Sequence, residues 1–188
     1  MKKLLLTLAL FISAAASISC STLQANTTVI ADDAIIQVAH TSTSAVYSTT
    51  FNTKDTARRV NITQAAKSIN GTVVHPGQEF SFNQTVGPTI KRRGYMAGRI
   101  FVNGKDSMGY GGGVCQVSST LFCAVQTMGL KTTERHAHSK PVYYVPKGYD
   151  AATSYGVIDY KFVNNKSFPI IIETAVNGDK LIVSIRAY

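Results

Sequence analysis

A cysteine placed directly after three glycines, in Gly111-Gly112-Gly113-Val114-Cys115-Gln116, is the residue of this chain best placed for covalent chemistry. Behind it, Val114, Val117, Leu121, Ala124, Val125 and Met128 recur at helical spacing and Gly129 supplies a stop. The pattern predicts a helix from Val114 to Met128 with Cys115 in its first turn. There a sulfur faces backbone N–H groups that lack helical partners and the positive end of the macrodipole, and both favour thiolate over thiol. The alternative reading is an inert core cysteine closing a tight turn. A thiolate nucleophile also needs a base, and the base needs an acid to orient it. Glu134, Arg135, His136, Ala137, His138 and Ser139 supply both types, on a strand read from Thr132 to Ser139. Alternation puts Glu134, His136 and His138 on one face of that strand and Arg135 on the other. Asp150 and Asp159 follow on later segments. The same face offers a second chemistry, because Glu134, His136 and His138 are three metal-ligand types at strand spacing.

The elements that must position these groups follow from periodicity and turn residues. Val60 to Ile69 reads as an amphipathic helix ended by Asn70-Gly71. Thr72 to Val74 and Phe80 to Phe82 read as strands about a Pro76-Gly77 turn, and Arg99 to Val102 as a strand before an Asn103-Gly104 hairpin turn. After the cysteine helix come strands at Thr132 to Ser139 and Val142 to Val145. A meander follows at Val157 to Val163, Pro169 to Val176 and Lys180 to Arg186, with turns at Asn164-Asn165 and Asn177-Gly178. One cysteine-bearing helix packed on a mainly antiparallel sheet is an α+β, single-domain arrangement. Its order of cysteine on helix, histidine on strand and acid beyond is that of papain-like and transglutaminase-like enzymes, by architectural analogy alone.

The chain has 188 residues. Residues 1–25 read as a signal peptide: Lys2 and Lys3, then an apolar run from Leu4 to Ile18 about 15 residues long, short of the roughly 20 a span needs. Cys20 is a candidate lipid-attachment site. Residues 26–56 read as an extended Ser/Thr-rich leader with a short strand at Ala34 to Ala39, and residues 57–188 as the folded domain. This organisation predicts an extracytoplasmic protein that meets a membrane only through its signal or a lipid. The formal charge of +9 suits anionic wall polymers. Arg58-Arg59 and Lys91-Arg92-Arg93 are short clusters without interleaved aromatics, read as solvated faces, and no nucleic-acid signature accompanies them. Cys115 and Cys123, about 12 Å apart on one helix, cannot pair. Cys123 reads as core, and His40 and His75 as surface or structural.

Several blocks together resemble the VanW family: Pro76-Gly77-Gln78-Glu79-Phe80-Ser81-Phe82-Asn83, Gly94-Tyr95, Gly111 to Ser118, Glu134-Arg135, His138-Ser139, Tyr144-Val145-Pro146 and Asp150-Ala151. Some members of that family resemble L,D-transpeptidases in activity. The resemblance implies an exported cell-wall enzyme that forms 3-3 peptidoglycan cross-links through a thioester on Cys115, with stem peptides as partners and no cofactor or metal. His138, at the family's His-Ser position, is implied as base ahead of His136; for the orienting acid Asp150 stands ahead of Asp159, with Glu134 a further candidate. Gly112, Gly113, Gln116, Arg135, Tyr95 and Tyr144 are the candidate substrate-binding positions, with two alternatives: Arg135 either clamps a substrate carboxylate or pairs structurally with an acid, and Tyr95 and Tyr144 either line the groove or pack the core. A non-catalytic wall-binding module and a metal-dependent peptidase built on Glu134, His136 and His138 are the alternatives.

Overall fold

The computed structural model describes residues 43–102 and 105–188 of the chain. Three helices and nine strands order them into an α+β domain in which every strand pair is antiparallel. The main sheet runs in the order β1 (Ser44–Thr50), β9 (Lys180–Ala187), β8 (Ile170–Asn177), β2 (Thr72–Val74). A second sheet has β3 (Glu79–Ser81), β7 (Lys161–Val163) and β6 (Lys131–Glu134), and β4 (Ala97–Val102) pairs with β5 (Lys105–Tyr110) as a separate hairpin. Among the described residues, no helix is long and apolar enough to cross a membrane.

The central element is α3 (Val114–Met128), which begins and ends where the apolar periodicity places it. It is buried on nearly every side, with only Cys115, Gln126 and Thr127 outside the fully buried set. One side packs on β1 and β9, whose inward residues alternate as period-2 strands require: Ala45 and Thr49, then Leu181, Val183 and Ile185. Another side packs on α1 (Thr56–Ile69), which buries Ile62, Ala65, Ala66 and Ile69 and is capped by the Asp55 carboxylate accepting from the Arg58 N–H. Gly129, in the left-handed region at φ +67°, ends α3 and returns its N–H to the Gln126 carbonyl.

Five sequence expectations are corrected. The Ser/Thr-rich segment that reads as leader contains β1, which pairs along its whole length with β9, so the sheet begins upstream of Ala57. The strand expected to reach Ser139 stops at Glu134, because its register with β7 slips between Thr132 and Glu134 and the His138 N–H is taken by a carboxylate instead of a ladder. Val142 to Val145 is irregular, and Phe82 opens a short helix, α2 (Phe82–Val86), instead of ending a strand. Nor do Asn164 and Asn165 turn a hairpin: β7 and β8 lie in different sheets, so of the three meander strands β8 and β9 alone pair as a hairpin, and the predicted meander breaks there. The signal peptide, Cys20, His40, the Ala34 to Ala39 strand and the Asn103-Gly104 turn lie outside the described residues.

Asn164 instead joins the two sheets. Fully buried, its side-chain amide donates to the carbonyls of Val74 and Phe168 at 2.9 Å each, and its oxygen accepts from the Lys166 N–H at 3.0 Å. Asn164→Ala would strand two buried carbonyls and one N–H. We expect a loss on the order of 3 kcal/mol, read as a shifted denaturation midpoint. A loss below about 0.5 kcal/mol would mean that water replaces the amide.

Candidate active site

The glycine turn is held in place before any chemistry begins. The side chain of Asn61, fully buried on α1, donates to the carbonyls of Met96 and Gly112 at 3.0 and 3.1 Å and accepts from the Met96 N–H at 2.8 Å. A side chain at Gly112 would put its Cβ 2.5 Å from the Arg99 carbonyl oxygen on the β4–β5 hairpin, so only glycine fits there. Gly113 sits at φ +105° and caps α3 without a side-chain bond. The N–H groups of Val114 and Gln116 go to Gly111 and Gly113, whereas among the described residues no carbonyl accepts from the Cys115 N–H. That donor is left for a ligand.

Cys115 is half-buried, with its sulfur 3.4 Å from the Thr153 carbonyl and 3.8 Å from the Thr153 hydroxyl. His138 lines the same groove from the segment after β6. The Nδ1 of His138 is 2.7 Å from Asp150 Oδ2, and the same oxygen accepts the His138 backbone N–H at 2.6 Å. With Nδ1 committed to the carboxylate, Nε2 is the nitrogen left for the sulfur. Asp150 is itself fixed: Arg135 donates to its carbonyl at 2.6 Å, to its Oδ1 at 3.3 Å and to the Gly148 carbonyl at 2.9 Å, while lying over the Phe122 ring. The next residue, Ala151, is bound to α3 through Ser118 and Ser119, at 2.7 Å from its carbonyl and 2.9 Å from its N–H respectively.

The charges agree with this geometry. Burial opposes ionisation of the Cys115 thiol, yet its interactions with His138 and Thr153 prevail and its pKa lies below the ordinary cysteine value. Burial likewise opposes protonation of His138, but Cys115 and Asp150 hold its pKa above the usual imidazole value. Burial would raise the Asp150 pKa; the N–H and imidazole of His138 bring it down. A thiolate–imidazolium pair is the state these directions favour. Cys123, by contrast, is pushed up to about 11, mainly by burial, and both cysteines are free. We expect iodoacetamide to alkylate Cys115 with a midpoint below that of a free thiol. His138→Asn should move the midpoint upward, since it removes an interaction that lowers the pKa. An unmoved midpoint would separate His138 from the sulfur.

Cys115, His138, Gly112, Gly113, Gln116 and Tyr144 all line one groove of about 350 Å³. A more open hollow of about 430 Å³, over Ser81, Glu134 and Asp159, contains no cysteine or histidine. The other sequence candidates have different work. Tyr95 is 3 % exposed and belongs to the core cluster, so it does not wall the groove. Arg135 pairs with Asp150, the structural one of its two expected roles. Asp159 accepts from the Ser81 hydroxyl at 2.5 Å and the Asn83 N–H at 2.8 Å, fixing α2, so it orients no histidine. Gln116 is 1 % exposed and bonds to Thr49, Thr50 and Arg58. His136 bridges to Ala152 through its backbone and pairs with Glu134 at 3.1 Å. Glu134 and His136 therefore do not converge with His138, which turns to Asp150. Among the described residues no three His, Cys, Asp or Glu side chains are grouped to hold a metal, so the ligand set of the metal-peptidase alternative is not assembled.

Glu134 instead joins strands. It accepts from Lys161 at 2.9 Å and from the Asp159 N–H at 2.9 Å, which with His136 hold its pKa down at about 2. A depressed carboxylate adds stability above its unfolded pKa of about 4.3, and loses it as the pH falls toward the folded value. Glu134→Gln should therefore melt below the wild type at pH 7, and the two curves should converge near pH 2. A constant gap across that range would exclude the ionic contribution.

The VanW family pattern, described as VanW like protein, matches residues 57–186. The chain belongs to the VanW family. This VanW-family chain is 43 % identical over 150 residues to the uncharacterized protein YoaR of Bacillus subtilis, covering 79 % of this chain and 50 % of that one. It is 33 % identical over 132 residues to the vancomycin B-type resistance protein VanW of Enterococcus faecalis, covering 68 % and 48 % respectively. The chain thus spans about half the length of the curated relatives it matches. No solved structure matches it. Sequence reasoning on this VanW domain missed Thr153, Ser118 and Ser119 as parts of the site, and it left Arg58 in a solvated cluster. Only the hydroxyl run Ser118-Ser119-Thr120 on an otherwise apolar helix signals that one side of α3 meets polar backbone.

Proposed function

We propose that this protein is an exported cell-wall enzyme, a cysteine L,D-transpeptidase that joins peptidoglycan stem peptides by 3-3 links. The observation that carries this reading is that Cys115, at the start of a helix, and His138, held by Asp150, line one groove, with His138 lowering the thiol pKa. Kinship with a vancomycin-resistance protein supports a role at the wall, and the basic charge suits its anionic polymers.

In this mechanism the Cys115 thiolate attacks the carbonyl of the diamino acid at the third position of a donor tetrapeptide. A C–S bond forms and the carbonyl oxygen takes the negative charge. The Cys115 N–H stabilises that oxyanion, a contribution worth about 3 kcal/mol for one well-placed donor. His138, protonated in the resting pair, gives its proton to the departing amine as the C–N bond breaks, and D-alanine leaves. The neutral imidazole then takes a proton from the incoming side-chain amine, which displaces the sulfur and restores the thiolate. Asp150 keeps the ring oriented throughout.

Incubating the protein with tetrapeptide muropeptides, followed by mass spectrometry, tests this. Dimers linked 3-3 together with free D-alanine are expected, and protein alkylated at Cys115 should give neither. Free D-alanine without dimers would make the protein an L,D-carboxypeptidase. No change of the muropeptides would overturn the enzymatic reading and leave a wall-binding module.

A further inference from the structure

The groove that holds Cys115 is lined by two arginines, Arg58 and Arg99, and by no aspartate or glutamate. The two arginines differ in what they already hold. Arg99 is paired with Asp106 at 2.6 Å, as Arg135 is with Asp150 and Arg186 with Glu173. Among the described residues no carboxylate pairs with Arg58. Its Nη2 donates at 2.7 Å to the neutral side-chain oxygen of Gln116, and its guanidinium lies 5.9 Å from the centre of the Tyr144 ring.

This placement is built from the interior outward. Gln116 is 1 % exposed, and its own nitrogen donates at 2.9 Å to the Thr49 hydroxyl and at 2.9 Å to the Thr50 carbonyl. Its oxygen is thereby fixed toward Arg58. The Arg58 stem packs over Gly113, where an added Cβ would fall 2.9 Å from Arg58 Cγ. A buried amide thus holds the cation without neutralising it, and the ring of Tyr144 supports it while leaving its remaining N–H groups unspent. A guanidinium oriented in advance, in the groove that also holds the Cys115 thiol, is suited to a planar anion.

We infer that Arg58 recognises a carboxylate on the acyl donor, so that the groove accepts a free peptide end and not an internal peptide bond. This deepens, and rests on, the reading of Cys115 as the nucleophile. Bond cleavage at a chain end leaves that carboxylate on the departing residue. Arg58 makes no covalent bond in the step; it is a positioning residue for the donor.

The test uses two alkylating reagents of similar size, so it does not depend on finding the natural donor. Iodoacetate carries a carboxylate and iodoacetamide does not. In Arg58→Gln the ratio of iodoacetate to iodoacetamide rates at Cys115 should fall about tenfold, the value of one charge-assisted contact, while the iodoacetamide rate stays within about twofold. Arg58→Lys should recover part of the ratio, and melting curves check that each variant folds. With tetrapeptide donors, Arg58→Gln should raise KM for the free acid about tenfold and leave an amidated donor unchanged. An unchanged reagent ratio, or equal slowing of both reagents, would overturn the assignment. A shifted ratio with no turnover of any peptide would instead count against the transpeptidase reading and leave anion recognition standing.

Discussion

Cys115→Ala is expected to lower the rate of D-alanine release by about a million-fold, the scale on which removing a covalent nucleophile reduces an acyl-transfer enzyme to its binding groove. No other thiol lines the groove. Cys123, the other cysteine among the described residues, is 2 % exposed and its thiol is raised to about 11. The substitution should leave the fold intact, because the sulfur is half-buried and its side-chain contacts are with Thr153 and His138. Product measured by mass spectrometry, with a melting curve within about 2 °C of the wild type, checks both statements. More than about 1 % residual activity in a folded variant would mean that another group attacks.

Asp150→Asn is expected to lower kcat about ten-thousand-fold with little change in KM. The carboxylate accepts from two groups of His138 and one of Arg135, all donors. An amide has one oxygen, so one of its sides must present N–H₂ to another donor. If the NH₂ faces His138, the imidazole turns its acceptor nitrogen inward and carries its proton toward the sulfur, which is the wrong tautomer for receiving one. The stabilisation of the imidazolium is lost in either orientation. The His138 pKa should drop and the alkaline limb of the kcat profile should move to lower pH. Steady-state kinetics across pH, with the iodoacetamide profile of the same variant, reads these effects. A loss below about tenfold would show that the carboxylate is only a loop anchor.

The parts of this molecule written in local pattern were legible before any coordinates. The cysteine helix runs from Val114 to Met128 because apolar spacing and a glycine stop fix both ends, and β8 and β9 follow from alternation and the Asn177-Gly178 turn. The positions that eluded sequence depend on polar contacts between distant segments. His138 does not stand on a strand, since a carboxylate twelve residues later takes its backbone N–H before a ladder can. Asn164 looks like turn chemistry, and it is a buried connector whose partner Val74 is ninety residues away. β1 was hidden because its short apolar run Ala45-Val46-Tyr47 lies inside a Ser/Thr-rich stretch that resembles low complexity until β9 supplies the partner. Arg58 looks solvated beside Arg59, and only the reach of Gln116 across the interface between α1 and α3 reveals otherwise.

The paired serines that bind Ala151 to the cysteine helix have a consequence for how this protein would age and fail. Cys115 stands on the buried helix, Asp150 is tied to it through its neighbour Ala151, and His138 through Asp150 in turn, so the spacing of the three is set by how α3 packs on its sheet. Heating or denaturant would therefore take function and shape together. A half-inactivated sample would be a mixture of intact and unfolded molecules, with no population that is folded but idle.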